Sequence, residues 1–303
     1  MNLDYAGYLM AHFTGESETG EQVYFALSRD GLHWQDLNQG KPVLVSKIGE
    51  MGVRDPYIMR SRLDGKFYIL ATDLRIASGK GWEVARASGS RKMILWCSDD
   101  LISWSEPWCY EVPLDGAGSV WAPETCFDEQ RQAYLVFWSS YTRALGDEGA
   151  RFRIFCSYTK DFLTFSVPQV YMEREKSIID STIIREGRCY YRFTKDEVTK
   201  GIILDRADDL MGTFSPISST SLDRITGVEG PLTFLTPDGK HWCLMIDRFA
   251  EQLGYLPLLC DDLNKAEFKI VSAKDYHLGE TRKRHGSVLA ITETEYVRLK
   301  NTF

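Results

Sequence analysis

The stretch "LSRDGLHWQDL", residues 27–37, runs from the end of an apolar segment into an Asp-containing turn and out again on an aromatic. The same order of residue types returns four times, as "CSDDLISWSEP" from 97, "SYTKDFLTFSVP" from 157, "DRADDLMGTFSP" from 205 and "LCDDLNKAEFKI" from 259. The closing aromatic (Trp34, Trp104, Phe165, Phe214, Phe268) comes round about every 50–70 residues, the length of one four-stranded propeller blade with its loops. A short Asp side chain bonds easily to the backbone of its own turn. The recurring Asp and aromatic therefore read as a turn and a packed ring rather than as sugar-binding groups.

Ahead of four of these copies lies a second pattern, two β-rich runs separated by a turn. The pairs are "DPYIMR" with "KFYILATD", "APETCF" with "AYLVFWSS", "DSTIIR" with "CYYRFTKD", and "EGPLTFL" with "HWCLMID". Asp64-Gly65, Glu186-Gly187 and Asp238-Gly239 supply three of the turns. Hairpin plus repeat gives four strands per blade. The fifth unit is split: "HGSVLAI" at 285 has the character of an inner strand, whereas "YAGYLMAHF" and "EQVYFALS" near the N-terminus lack one. Pairing the C-terminal inner strand with these N-terminal strands closes the ring and removes open sheet edges. The expected fold is all-β, a five-bladed β-propeller in a single domain over residues 1–303. No segment shows sustained helical periodicity with caps, so a helical solenoid or doubly wound fold is disfavoured.

Composition narrows the partners. The chain has 303 residues, 44% hydrophobic and 26% charged, with a net charge of −7 and no long basic run. That balance argues against a nucleic-acid or membrane partner and suits a small neutral substrate. The start of the chain lacks the basic and apolar regions of an export signal, so a cytoplasmic location is expected. Seven cysteines without a CxxC pair read as free thiols in a reducing compartment. Oligomeric state is not legible.

The heads of the inner strands carry Asp55, Glu124, Asp180, Glu229 and His285. In a propeller these strands surround the axis, so four carboxylates and a His should converge at one end of a central funnel, in register. Acids are seldom held inside a protein without partners or function. Inverting glycoside hydrolysis needs such a set: one carboxylate deprotonates water while a carboxylic acid, roughly 6.5–9.5 Å away, protonates the leaving oxygen. A third carboxylate beside the acid would raise its pKa by repulsion. The Gly-rich segment 76–92 lacks the arrangement of a phosphate loop and reads as a rim excursion, with Trp82 at the pocket mouth.

In the order "VRDPYI", "SVWAPE", "IDSTII", "VEGP" and "RHGSV", one per blade, the sequence resembles glycoside hydrolase family 43 over nearly its whole length. The resemblance implies a five-bladed propeller and an inverting mechanism, chiefly as α-L-arabinofuranosidase, β-xylosidase or arabinanase. By motif, Asp55 is the general base, Asp180 the residue that tunes and orients the acid, and Glu229 the general acid. Ser181 stands where the family usually has Pro, which bears on backbone stiffness more than on chemistry. Glu124 and Trp121 are assigned to pocket structure and substrate contact. His285 matches a His that in several relatives helps hold calcium, so the resemblance allows a structural Ca²⁺ near the axis, with His285 as its one candidate ligand; no cofactor is required. The leading expectation is an exo-acting α-L-arabinofuranosidase on plant-derived oligosaccharides, ahead of a β-D-xylosidase or exo-arabinanase. A non-enzymatic, glycan-binding propeller is the alternative from another class, disfavoured because a scaffold has no need of the acid trio.

Overall fold

The computed structural model describes residues 5–303, and in it twenty strands form five four-stranded antiparallel sheets around one axis. The closing blade contains β1 (Tyr5–Phe13), β2 (Tyr24–Ser28) and β3 (Trp34–Asp36). The next contains β4 (Val53–Arg60), β5 (Phe67–Asp73), β6 (Lys92–Ser98) and β7 (Trp108–Glu111). It is followed by β8 (Trp121–Asp128), β9 (Ala133–Thr142), β10 (Arg151–Thr159) and β11 (Gln169–Met172). Then come β12 (Ile178–Glu186), β13 (Cys189–Asp196), β14 (Ile202–Ala207) and β15 (Ser215–Ile217). The last full set is β16 (Glu229–Leu235), β17 (Trp242–Asp247), β18 (Tyr255–Cys260) and β19 (Lys269–Ile270). β20 (Arg284–Thr292) pairs antiparallel with β1, giving the order β20-β1-β2-β3 and closing the ring as expected.

Because each blade is covered on both faces, strands are buried almost without interruption rather than on alternate residues. Leu9 and Ala11 on one face of β1 pack with Ile69, Ile94 and Trp96 of the next blade. Tyr8 and Met10 on its other face pack with Leu232, Phe234 and Met245 of the preceding one. Three further clusters fill the remaining blade interfaces, so the core is a ring of five wedges.

The repeated Asp does what its turn chemistry demands. Asp30 Oδ1 accepts from the backbone N–H groups of Leu32 and His33, Asp100 from Ile102 and Ser103, and Asp161 from Leu163 and Thr164. Asp209 and Asp262 repeat one of these bonds in the last two copies. Trp34 closes its turn by donating from its indole to the Gly31 carbonyl.

Two short helices accompany the strands. Within the rim excursion, α1 (Gly81–Ser88) carries Trp82, and α2 (Glu293–Thr302) follows β20 directly. Thr292 and Glu295 form a reciprocal capping box at the start of α2. Tyr296 and Leu299 then bury one side of the helix against the core shared by the closing blade and the next. Glu295 also takes a two-pronged bond from Arg60 at 2.8 Å in each arm, pinning α2 across the seam. Both helices are too short for a hydrophobic stripe to stand out from the surrounding strands, but the "TETE" cap signature is present in the sequence. Thr292→Ala should lower unfolding free energy by about 1 kcal/mol, the usual worth of such a cap, and leave turnover unchanged; chemical denaturation alongside an activity assay measures both.

Candidate active site

Each inner strand opens on a backbone irregularity. Residues Asp55, Ala122, Asp180 and Gly230 all lie in the left-handed region, with φ of 52°, 48°, 52° and 51°. Each coincides with a break in the inner-strand ladder, between Arg54 and Tyr57, Trp121 and Glu124, Ile179 and Ser181, and Glu229 and Leu232. Pro56, Pro123 and Pro231 follow the left-handed residue and have no N–H to offer the ladder. Ser181, with an N–H, rejoins the ladder opposite Thr194 one residue sooner, and the two hydroxyls are 2.8 Å apart. The fifth inner strand is interrupted between Arg284 and Ser287, at His285.

This alignment corrects the expected register. Asp55, Asp180 and His285 occupy the same step of their strands, but Glu229 stands one step before it and Glu124 two steps after. The small residues Ala122 and Gly230 fill the two remaining places. At Gly230 the reason is plain: a Cβ there would lie 2.4 Å from Cγ of His285. The imidazole uses the space that a side chain would occupy.

His285 is the hub of the inner ring. Its Nδ1 lies 3.3 Å from Asp55 Oδ1 and 3.7 Å from Asp180 Oδ2. Burial opposes a charge on the ring, but Asp180 and Asp55 outweigh it and raise its pKa to about 10, so the imidazolium is the resting form. Asp55 also accepts from the Thr72 hydroxyl at 2.7 Å. Burial would raise its pKa, yet His285, Arg54 and Thr72 bring it below the ordinary value, so Asp55 is a carboxylate. Asp180 has less help. Burial pushes it up to about 6, only partly offset by His285 and Lys195, and Glu229 and Asp55 add repulsion. It accepts from the backbone N–H of Gly230 at 3.3 Å, the residue after Glu229.

Glu229 is gripped by two cations, Lys195 Nζ at 2.8 Å and Arg284 Nη2 at 2.7 Å. Burial favours its neutral form, but Lys195 and Arg284 prevail and hold its pKa below the usual carboxylate value. The upward shift expected for Glu229 thus falls on Asp180 instead. The side chains of Asp55 and Glu229 keep 13% and 15% exposure, against 7% for Asp180, so the first two face the funnel and the third lies between and beneath. Glu124 is buried lower still, and burial moves it up to about 8 despite the nearby His285 and the Thr182 hydroxyl. His285 and Glu124 therefore floor the site.

The supporting groups follow a rule that sequence reading missed. The second-strand residue opposite each irregularity serves the inner strand of the following blade. Phe13 lies under the Arg54 guanidinium, 4.4 Å from its centre, and Thr72 accepts from Ala122 N–H at 2.7 Å. Ser139 accepts from Asp180 N–H at 3.1 Å, and Lys195 donates to Glu229. Asp247 accepts from Arg284 Nε at 2.6 Å. The sequence held a partial signal in the polar ends of "ILATD", "RFTKD" and "LMID". Arg54, 4% exposed, is held by Glu16 and Glu21, both at 3.1 Å.

Beside the carboxylates lies a cavity of about 390 Å³ whose walls include Trp82, Trp121, Tyr141, Phe152, Lys176 and Glu197. Trp121 stands between Phe152, 4.9 Å away, and the edge of Trp82, 6.1 Å away. Trp82 in turn covers Arg54 at 4.8 Å. The structure thus brings Trp82 and Trp121 together at the mouth. Calcium would need several oxygen ligands, and among the described residues no three His, Cys, Asp or Glu side chains converge in metal-holding geometry. No helix of the described residues is long and apolar enough to cross a membrane.

Comparison with known proteins gives the family and the fold. Residues 4–297 match the family model described as a probable glycosyl hydrolase domain, related to family 43. An α-L-arabinofuranosidase of Bifidobacterium longum subsp. longum is 32% identical, the match covering 80% of this chain and 27% of that protein. The chain thus spans about a quarter of that relative's length. Among solved structures, an α-L-arabinanase variant from Cellvibrio cellulosa superposes with a TM-score of 0.58 at 14% identity, over 90% of this chain and 94% of that one. An exo-β-1,3-galactanase from Phanerochaete chrysosporium bound to β-1,3-galactotriose also gives 0.58 at 14%, over 85% and 58%. A family 43 protein from Bacillus licheniformis gives 0.57 at 18%, over 92% and 55%. At these identities the structures speak for the fold.

Glu124 yields a pH test. Its folded pKa lies above the unfolded value, so the folded state holds the extra proton and stability falls as pH rises from about 4.5 towards 8, at about 1.4 kcal/mol per unit. Glu124→Gln copies the protonated form. Its melting temperature should match the wild type at pH 5 and exceed it at pH 8, as read by thermal scans at the two values.

Proposed function

Because this chain belongs to the glycosyl hydrolase family whose model it matches, related to family 43, we propose that it is an inverting exo-glycosidase that removes terminal pentose residues, foremost α-L-arabinofuranose, from small plant-derived oligosaccharides. The observation that carries this reading is a pair of part-buried carboxylates, Asp55 and Glu229, brought to one funnel from different blades, each with its own partners. Asp55 is fixed as an anion by Thr72 and His285, the state required of a base. Glu229 reaches the funnel from a different blade and is steered by Lys195 and Arg284. In the reaction, Asp55 takes a proton from water as its oxygen attacks the anomeric carbon. Glu229, protonated in the substrate complex, gives its proton to the departing oxygen. Asp180 acts through others, holding His285 on one side and the Gly230 N–H on the other. Inversion follows from attack and departure on opposite faces of the sugar.

Exo action is supported by a funnel floored with His285 and Glu124, which offers a terminal sugar a closed end. The aromatic walls of the adjoining cavity suit the apolar face of a leaving sugar. The tilt to arabinofuranose is supported by the arabinofuranosidase relative; xylose has the same formula and size, and a β-D-xylosidase is the second reading. The proposed chemistry draws only on side chains of this chain. All seven cysteines carry free thiols, which supports a reducing, cytoplasmic setting.

Release of nitrophenol from aryl α-L-arabinofuranoside should exceed that from aryl β-D-xyloside. Asp55→Asn should remove activity on both by a factor of about 10²–10⁴, and Glu229→Gln should do the same on an unactivated oligosaccharide while sparing the aryl glycoside, whose leaving group needs no proton. Wild-type rates in Asp55→Asn would overturn the reading. NMR of the first-formed sugar anomer checks inversion.

A further inference from the structure

A general acid must carry a proton, yet Glu229 sits between two cations that favour its anion. The two are not equivalent. Arg284 has a fixed second partner in Asp247, at 2.6 Å, and stays paired whatever Glu229 does. Lys195 is 4% exposed, so leaving its ammonium without a counter-charge would be costly. It has a second carboxylate within reach: Nζ lies 2.9 Å from Glu197 Oε1 and 2.8 Å from Glu229 Oε2. The ring of Phe249, 4.2 Å from Nζ, completes its surroundings. Glu197 belongs to the wall of the aromatic cavity and is anchored on its other oxygen by Lys200 at 2.9 Å.

We propose that Lys195 and Glu197 form a positioning pair that allows Glu229 to take up its catalytic proton: Lys195 orients the Glu229 carboxylate in the free site, and Glu197 retains the ammonium when Glu229 becomes neutral. This rests on the assignment of Glu229 as the general acid. The cycle is balanced by water alone. Glu229 gains a proton from solvent, Lys195 keeps its charge and moves its hydrogen bond to Glu197, and the Glu229 proton leaves on the departing sugar oxygen. The other groups facing Glu229 do not substitute for the pair. Asp180 from β12 repels its anion, Arg54 from β4 is held by Glu16 and Glu21, and His285 from β20 is engaged by Asp55 and Asp180.

The two members of the pair should shift the reaction in opposite directions, which simple damage to the fold would not do. Loss of an opposite charge this close moves a pKa by about one unit or more. With an unactivated oligosaccharide, the alkaline limb of kcat/KM against pH should therefore move up by about one unit in Lys195→Met. It should move down in Glu197→Gln, where protonating Glu229 strands the ammonium. Lys195→Arg should restore the wild-type limb at least in part. Glu229→Gln is the control, because if Glu229 is the acid its alkaline limb disappears. A limb that persists in Glu229→Gln overturns the acid assignment itself. A limb lost in Glu229→Gln but unmoved, or moved in the same direction, in Lys195→Met and Glu197→Gln leaves that assignment standing and overturns the pair. Should Lys195→Met fail to fold, the downward shift in Glu197→Gln decides alone, its absence counting against the pair.

Discussion

A left-handed residue at the head of four of the five inner strands is the constraint from which the site is built. Regular strand backbone would send successive side chains alternately to the two faces of the blade, away from the axis. The break in the ladder instead turns Asp55 and Asp180 inward. For a residue with a Cβ, that conformation is unfavourable by roughly 1–3 kcal/mol and persists only where its surroundings enforce it. Here they do: the backbone N–H of Ala122 bonds to Thr72 and that of Asp180 to Ser139, each across a blade boundary. Strain at the inner ring is thus held by the neighbouring blade.

The same cross-blade habit sets the charges. A buried carboxylate alone would be neutral, and the trio would then lack the anion that the proposed reaction asks of Asp55. His285 supplies one positive charge to two acids at the same strand position; joined by Arg54 and Thr72 it keeps Asp55 ionised, while Asp180 rises to about 6. Glu229, one step higher, meets a different pair of cations. A shift of a single residue along the strand is what separates the environment of Asp55 from that of Glu229, and one ring of near-identical strand starts thereby holds the two groups to which the proposed mechanism gives unlike tasks.

The ring, its blade count and its closure were legible because two-faced burial and turn chemistry repeat five times, and an error in one copy is corrected by the rest. Asp55, Asp180, Glu229 and His285 were legible as candidates for the same reason. Their relative height was not: aligning motifs by their acids placed Glu229 and Glu124 level with Asp55, whereas the irregularity that defines the level is marked by Gly230 and Ala122, residues with no chemistry to draw the eye. Lys195 and Arg284 escaped notice because their partner lies on another strand of another blade. The helix α2 escaped because its ten residues repeat nowhere else in the chain.

The seam between β20 and β1 joins residues almost the whole described chain apart. Contacts so distant in sequence form late, since the chain must be ordered over its length before they are rewarded. Arg284 and His285 lie on this strand, so the strand that closes the ring carries both the imidazole facing Asp55 and Asp180 and one of the two grips on Glu229. A ring lacking this strand would therefore leave Asp55 and Asp180 without His285, and Glu229 without Arg284. For the proposed glycosidase, turnover during refolding would then report completion of the circle and follow the closing of its seam.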